Sequence, residues 1–480
     1  MAHHVANDLP PHLSMWQRVR EYAVPPSMIE TATARRAVGD WAGACAAARI
    51  DVDLDLRAVR DRHGTGLVTR LRADLRRLAP DLLRWHMPRI APDGRLRPGL
   101  TLSLARYGDP GTPVHLVVRT PPAWADAGQR MSLSLWTGPG DGAPRHHPHP
   151  HPDRRFRLDL HRHLWDATRS GELARRSGWT GTPAVTGTPA VPSADPPWAK
   201  DRWAAEAELL LRAEGRSRGA FTVRLAARSR LVLELVAPDD AHVPVLRPPR
   251  AAPPPQEAAA LPVLPEAAAR LPPDLELLRA GLIAPERLHP LVAAALPVPG
   301  PAPAAAPASE PGDPHRVECR GEVHRLALRD GVLTAVDHDP DQLRREELLV
   351  ALGGPPLPCL RAIDAVHRNP EALPAVRERL GHGDVTGALA VVEGLLGPGA
   401  VLRDGPLRAE LESAAARRVD HGLFRSGLVA EHPGARAAGG GGVADPYQGH
   451  RPRLDRRSRR TPPALLGKRN SRSRPRTGQP

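Results

Sequence analysis

Arg35–Ile50 reads RRAVGDWAGACAAARI, and its reading decides the fold of everything around it. Gly39 ends a first helix, because glycine tolerates a left-handed backbone. Asp40 caps the next helix by accepting from the free amides of its first turn. Gly43, Ala44, Ala46 and Ala47 are small enough for a neighbouring helix to come close. The stretch is therefore the turn and second helix of a two-helix hairpin. A looser copy, RLGHGDVTGALAVV, spans Arg379–Val392 and repeats the pattern at Gly383, Asp384, Gly387 and Ala388.

Outward from the first hairpin, the chain reads as helical from 13 to 90, behind a polar, disordered leader at 1–12. Ser14–Gln17 and Ser27–Glu30 have the spacing of capping boxes. Asp51–Asp55 reads as a turn, with Asp55 capping a helix to about His63. Leu67, Leu71, Leu75 and Leu78 form one apolar stripe with arginines outside it. Pro80 opens a short helix, PDLLRWHM, which Pro88 stops. From Leu100 the hydrophobic period changes to two. Thr101–Tyr107, Val114–Thr120, Met131–Thr137, Arg155–His163, Ala220–Ala226 and Arg230–Val236 are the expected strands, with a helix at Ala199–Ala213. Residues 99–237 are thus expected to form one antiparallel sheet crossed by a helix. GPGDGAPRHHPHPHP and TGTPAVTGTPAVP interrupt it as disordered segments.

Residues 238–314 hold 20 of the 57 prolines and read as a Pro/Ala-rich linker. A helical island at 274–296 is expected to dock on a neighbouring domain. Residues 315–430 form a second unit. It begins with a hairpin around Asp330-Gly331, the dipeptide a type I′ turn favours. Helices at about 359–367, 371–381, 384–396 and 406–420 follow. Order is expected to end after Gly427, leaving an Arg-rich tail at 431–480. The fold class is α+β: an N-terminal helical block with an antiparallel β unit, a linker, a small hairpin-and-helix unit, and a disordered basic tail.

Gly-Asp-aromatic followed by small residues resembles the inter-helix turn of tetratricopeptide repeats. The resemblance covers about one repeat at each end, with no tandem period between. Only Lys200 and Lys468 are lysines. With the abundance of Ala, Gly, Pro and Arg, the block WQRVREYAVPPSMIETATARRAVGDWAGACAAA resembles a family of high-GC, actinobacterial type. That resemblance implies no activity.

Aromatic residues are 3% of the chain, and all nine tryptophans lie between Trp16 and Trp203, so the well-packed part is expected in the first half. The net charge is +14, and residues 451–480 contribute 11 Lys/Arg against one Asp. Cys45, Cys319 and Cys359 are far apart, without metal-ligand spacing. An odd count and no signal-peptide pattern fit reduced thiols in a cytoplasm. No window approaches a membrane-spanning length of apolar residues.

Three clusters are candidates for chemistry. In a strand, Asp159, His161 and His163 would share one face, and two histidines at that spacing can bind one zinc ion. His146, His147, His149 and His151 alternate with prolines, in a solvated loop able to hold a transition metal loosely. Asp51, Asp53 and Asp55 could hold Mg²⁺, although a cap-and-turn role accounts for them better. Phosphate loops, nucleotide fingerprints, nucleophile elbows and His-Glu-x-x-His are absent from the sequence. The expectation is a cytoplasmic, non-catalytic interaction or scaffold protein with a protein partner, no cofactor and no membrane contact. The alternatives are an accessory nucleic-acid binder and a metal-dependent hydrolase.

The nucleic-acid reading rests on Arg456, Arg457, Arg459, Arg460, Lys468, Arg469, Arg472, Arg474 and Arg476. These would attract any polyanion by charge, without stacking aromatics to read bases. Deleting residues 449–480 is expected to abolish retention on heparin at low salt. Unchanged retention would remove the tail from consideration as a polyanion site.

Overall fold

The computed structural model describes residues 10–108, 113–138, 147–179, most of 197–296 and discontinuous stretches of 316–428. The fold is α+β. Two compact units are resolved, Met1–Ala123 with Gln129–Gly300, and Trp124–Gly128 with Pro301–Pro480.

The first unit begins with α1 (Pro11–Arg18), which runs through a π turn at Val19–Ala23, then α2 (Pro26–Ala37) and α3 (Trp41–Ala47). Pro10 and Pro25 precede α1 and α2 without side-chain caps, so neither expected capping box forms. Proline suffices at these starts because its missing N–H is one that a first helical turn leaves unpaired. The hairpin turn does form as read. Gly39 has φ +78, and Asp40 accepts from the Gly43 amide at 2.8 Å. A Cβ at Gly43 would lie 2.1 Å from Asp40 Oδ2, so the cap itself requires glycine there.

β1 (Ile50–Asp53) follows, a strand where a turn was expected. Asp55 does cap α4 (Leu56–Arg77), accepting from Arg57 and Ala58 amides at 2.9 and 3.1 Å, and α4 is broken at Gly64 (φ +83), next to the expected end at His63. The leucine stripe is buried as expected, at Leu67, Leu71, Leu75 and Leu78. Every residue of α5 (Pro80–Trp85) is buried. After a short ribbon, β2 (Arg89–Ile90) with β3 (Arg95–Leu96), come β4 (Thr101–Tyr107), β5 (Val114–Arg119) and β6 (Met131–Trp136). The sheet order is β1-β6-β5-β4. β1 pairs parallel to β6, which makes the sheet mixed and gives the Asp51–Asp55 segment its true role. Asp51 is held by one edge of the Arg130 guanidinium, with Nε 3.1 Å from each carboxylate oxygen and Nη2 on Oδ1.

Arg155–His163 is not a strand. It forms two 3-10 turns, Leu158–Leu160 and Arg162–Leu164, joined to β4 only by a bridge from Ser103 to Arg157. The Trp165 indole donates to Leu158 O at 2.9 Å and closes the turns on themselves. α6 (Leu173–Ser177) and α7 (Trp203–Ala213) come next. A separate antiparallel sheet then forms from β7 (Gly219–Arg224), β8 (Arg230–Val236) and β9 (Val245–Arg247). Residues 99–237 therefore build two sheets, not one. The second has its own core of Trp203, Leu210, Phe221, Val223, Leu235 and Leu264.

The expected linker is the largest correction. Residues 242–296 belong to the first unit. After α8 (Pro255–Ala260), Leu264 N donates to Thr222 O at 2.8 Å, and α9 (Glu266–Ala269) adds Ala268 and Ala269 to the core of the second sheet. α10 (Pro273–Arg279) and α11 (Pro290–Ala295) place Leu275, Leu277, Leu288 and Val292 in the main core. Two buried polar clamps bind this arm to α5. The Trp85 indole donates to Asp274 Oδ2 at 2.8 Å, and His289 Nε2 meets Asp81 Oδ2 at 2.8 Å.

The second unit opens with β10 (Arg316–Cys319), β11 (Glu322–Arg329) and β12 (Val332–Ala335), an antiparallel sheet in that order. α12 (Pro340–Ala351) starts at Asp339, which accepts from Asp341 N at 3.1 Å. Helices Ala372–Gly381, Val385–Leu396 and Pro406–Arg425 follow. The second hairpin copy repeats the first atom for atom: Gly383 has φ +82, and Gly387 N donates to Asp384 at 3.2 Å. Asp330-Gly331, the Thr-Gly-Thr-Pro repeat, His146 and the arginine tail with Arg456 to Arg476 lie outside the described residues.

Removing the Asp274 carboxylate strands the Trp85 donor in the core. Asp274→Ala is expected to cost the first unit about 1–3 kcal/mol, measured by urea denaturation. Asp274→Asn keeps an oxygen for the indole and is expected to lose clearly less.

Candidate functional site

A cavity of about 320 Å³ lies within the first unit. Its walls come from α1, the residues after α5, the 3-10 turns at 156–164, the end of α6, the start of α7, and the arm at 266–276. Most of the lining is apolar, with Met15, Trp16, Met87, Leu102, Phe156 and Leu158 among it. Four histidines, His12, His86, His161 and His163, also line it. The size is at the lower end for a small-molecule site.

His161 is one of the predicted metal ligands, and here both of its ring nitrogens face protein oxygens. Nδ1 lies 2.9 Å from Arg157 O, and Nε2 lies 3.1 Å from Glu206 Oε2. A carbonyl and a carboxylate only accept, so both bonds require N–H on both ring nitrogens. A ring so engaged has no lone pair for a metal. Glu206 is also gripped by Arg176, at 2.7 Å to Oε1 and 2.6 Å to Oε2. The Glu206 carboxyl is drawn down to about 2, since the hydrogen bonds and charges of His161 and Arg176 outweigh the burial that opposes them. The result is a closed Arg–Glu–His ion network joining α6, α7 and the 3-10 turns.

Asp159 is taken up too. Arg157 holds it through Nε at 2.8 Å and Nη2 at 2.8 Å, and reaches Glu214 at 2.7 Å with its other amine. The three predicted ligands therefore do not converge. In a strand they would share a face; in 3-10 turns they point to different partners.

His163 and His86 behave differently from His161. Burial pushes both imidazoles down, His163 well below its usual range with the neighbouring His161 adding to the effect, and His86 to about 3. Both are neutral at pH 7. His163 Nδ1 and His86 Nε2 are buried and have no hydrogen-bond partner. An unpaired buried polar atom costs about 1–3 kcal/mol, so two in one cavity mark a place where a ligand's polar groups would be welcome.

In the described part of the histidine–proline run, His149 and His151 are exposed, as a solvated loop would have them, and His147 is not. His147 is buried, with Nε2 3.0 Å from Thr120 O and Nδ1 accepting from the His149 amide at 3.2 Å. Thr101 Oγ1 donates to His149 O at 2.7 Å, and His151 stacks edge-on to Trp136. Burial pushes His147 down to about 4. His147 and the His149 backbone thus pin the loop beside β4 and β5.

Glu276 is the group that sequence reading passed over. It lies on α10, in the stretch read as an island on a linker, so nothing marked it as part of a cavity. Burial pushes its carboxyl up to about 8, against weaker pull from Arg270 and Arg279. It therefore carries a proton at pH 7, and His12 Nε2 lies 3.3 Å from Oε2. The folded value stands above the usual 4.5, so the stabilisation belongs to the protonated form. It is complete below about pH 4.5 and is lost as pH rises toward 8. Glu276→Gln mimics the protonated acid. The variant is expected to match the parent near pH 5 and exceed it by a few kcal/mol in urea unfolding near pH 9. Compared with known proteins, the chain matches no family model, no curated protein and no solved structure.

Proposed function

We propose that this chain is a non-catalytic binding protein whose first unit holds a small, uncharged, largely apolar molecule carrying hydroxyl or carbonyl groups. The reading is carried by one observation: two neutral, buried imidazoles in an apolar cavity each leave a ring nitrogen unpaired. A neutral imidazole offers one donor and one acceptor, which suits a hydroxyl or a carbonyl better than a charged group. Two of the six lining arginines, Arg157 and Arg176, already hold carboxylates and so do not call for an anion.

A binding role is also favoured over catalysis by what lines the cavity. Its one hydroxyl side chain, Ser177, donates to Ala174 O at 3.2 Å and has no base beside it. Cysteine, lysine and tyrosine are absent from the described lining. Glu206 is held by Arg176 and His161. The interaction reading from sequence is kept with it: the loaded protein would act through a protein partner, in a cytoplasm that keeps three buried thiols reduced. Among the described residues no helix is long and apolar enough to cross a membrane.

Ala267 is exposed yet lines the cavity, so a bulky residue there would block the mouth without entering a core. Native mass spectrometry of the full chain is expected to find one co-purified small molecule, absent from Ala267→Trp. A panel of uncharged aromatic and aliphatic alcohols and ketones is expected to stabilise the emptied parent by about 2–3 kcal/mol at a hundredfold excess over Kd. The Ala267→Trp variant is expected not to respond. No bound molecule and no stabilisation by any compound would overturn the proposal.

A further inference from the structure

Cys319, His338 and Cys359 are separated by 18 and 20 residues, far from the compact spacing of a zinc finger. The second unit brings them together. β10 and β12 both run antiparallel to β11, so their C-terminal ends point the same way. Cys319 is the last residue of β10. The chain leaving β12 at Ala335 continues alongside β11, where the Asp337 carboxylate accepts from the Arg325 amide at 2.9 Å. That contact places His338 beside the start of β11, with its ring 4.4 Å from that of His324. Cys359 comes from the helical turn at 358–361, packed in the same core.

The two sulfurs and one ring nitrogen lie within 4.8 Å of one another. All three residues are buried, at 1%, 8% and 0% exposure, and neither cysteine is in a disulfide. A tetrahedral zinc ion with bonds of about 2.3 Å to sulfur and 2.0 Å to nitrogen holds its ligands roughly 3.5–3.8 Å apart. The observed cluster is at most about 1 Å wider, a distance side-chain rotation covers. Two thiolates and an imidazole suit zinc over magnesium or calcium, which take oxygen ligands.

We propose that Cys319, His338 and Cys359 form a zinc site that ties the sheet of the second unit to its helices. Three side chains leave the fourth position of the ion to an oxygen ligand. The unit has reason to need such a tie. Its described core cluster is aliphatic, with Leu326, Leu343, Ile363, Val376, Leu380 and Leu396 among it, and has no aromatic member. A small domain with a thin core gains outright folding energy from a structural metal.

Elemental analysis of the full chain, purified without a histidine tag or chelator, is expected to find one zinc per molecule. Cys45→Ser, which alters the thiol of the first unit, should keep it; Cys359→Ser and His338→Gln should lose it. Because those variants can fail to fold, the parent protein gives the independent measurement. Replacing zinc by Co²⁺ should produce thiolate-to-cobalt charge transfer and the intense visible bands of a tetrahedral site. A chelator should lower the melting temperature of the second unit and expose Cys319 and Cys359 to alkylation. Metal-free native protein whose reduced form gives no charge-transfer band with Co²⁺ would overturn the site. So would a native mass lower by two hydrogens, showing the pair as a disulfide.

Discussion

Helix α5 has no exposed face, and the first unit is assembled on the polar groups it carries inside. A helix of six residues cannot hold itself together in water, so tertiary contacts must form it. Arg84 is fully buried and donates to Ala23 O at 3.0 Å and Gln129 O at 2.7 Å. Those carbonyls end the π turn after α1 and the loop before β6. One guanidinium therefore couples the helical layer to the sheet. Nη2 is buried without a partner, and burial beside other arginines pushes Arg84 well below its usual range. Asp81 and Trp85 extend the same device to the arm at 273–296. Polar clamps of this kind make wrong packings costly, because each would strand a buried donor or acceptor.

The cavity shows what happens where that logic is satisfied and where it is not. Around Glu206 every strong group has a partner, and the network is rigid and chemically quiet. Around His86 and His163 the backbone and side chains supply none. Those imidazoles escape the cost of a buried charge by staying neutral, but they still lack a hydrogen bond each. The contrast within one wall separates structural histidines from candidate ligand-binding ones. His161 and His163 are two residues apart and fall on opposite sides of that division.

The second unit relies on different means. Its helical turn is local chemistry, shared with the first unit down to the arginine that braces it: Arg35 lies 3.2 Å from Asp40, and Arg379 lies 2.9 Å from Asp384. A Cβ at Gly387 would lie 2.1 Å from Asp384, as at Gly43 from Asp40. In a core cluster of aliphatic side chains, the unit sets cysteine and histidine at the junction of sheet and helix.

Features governed by a few neighbouring residues were legible in the sequence. The Gly-Asp hairpins, the Asp55 cap, the leucine stripe of α4 and the strands β4, β5 and β6 depend on backbone preferences and local periodicity. Pairings across long separations were not. β1 was read as a turn because its alternating aspartates give no sign of the Met131 strand that pairs with it. Arg155–His163 alternates like a strand yet curls into 3-10 turns, since Trp165, Arg157 and Glu206 offer it better partners. Residues 242–296 are rich in proline, which by itself means an extended chain; Asp81 and Trp85 convert them into a packed arm. The sequence alone determined where helices and strands can start and stop, because caps, glycines and hydrophobic periods act within a turn or two. Tertiary structure decided which histidines are charged, neutral or beside a thiol, because burial and partners come from residues tens to hundreds of positions away.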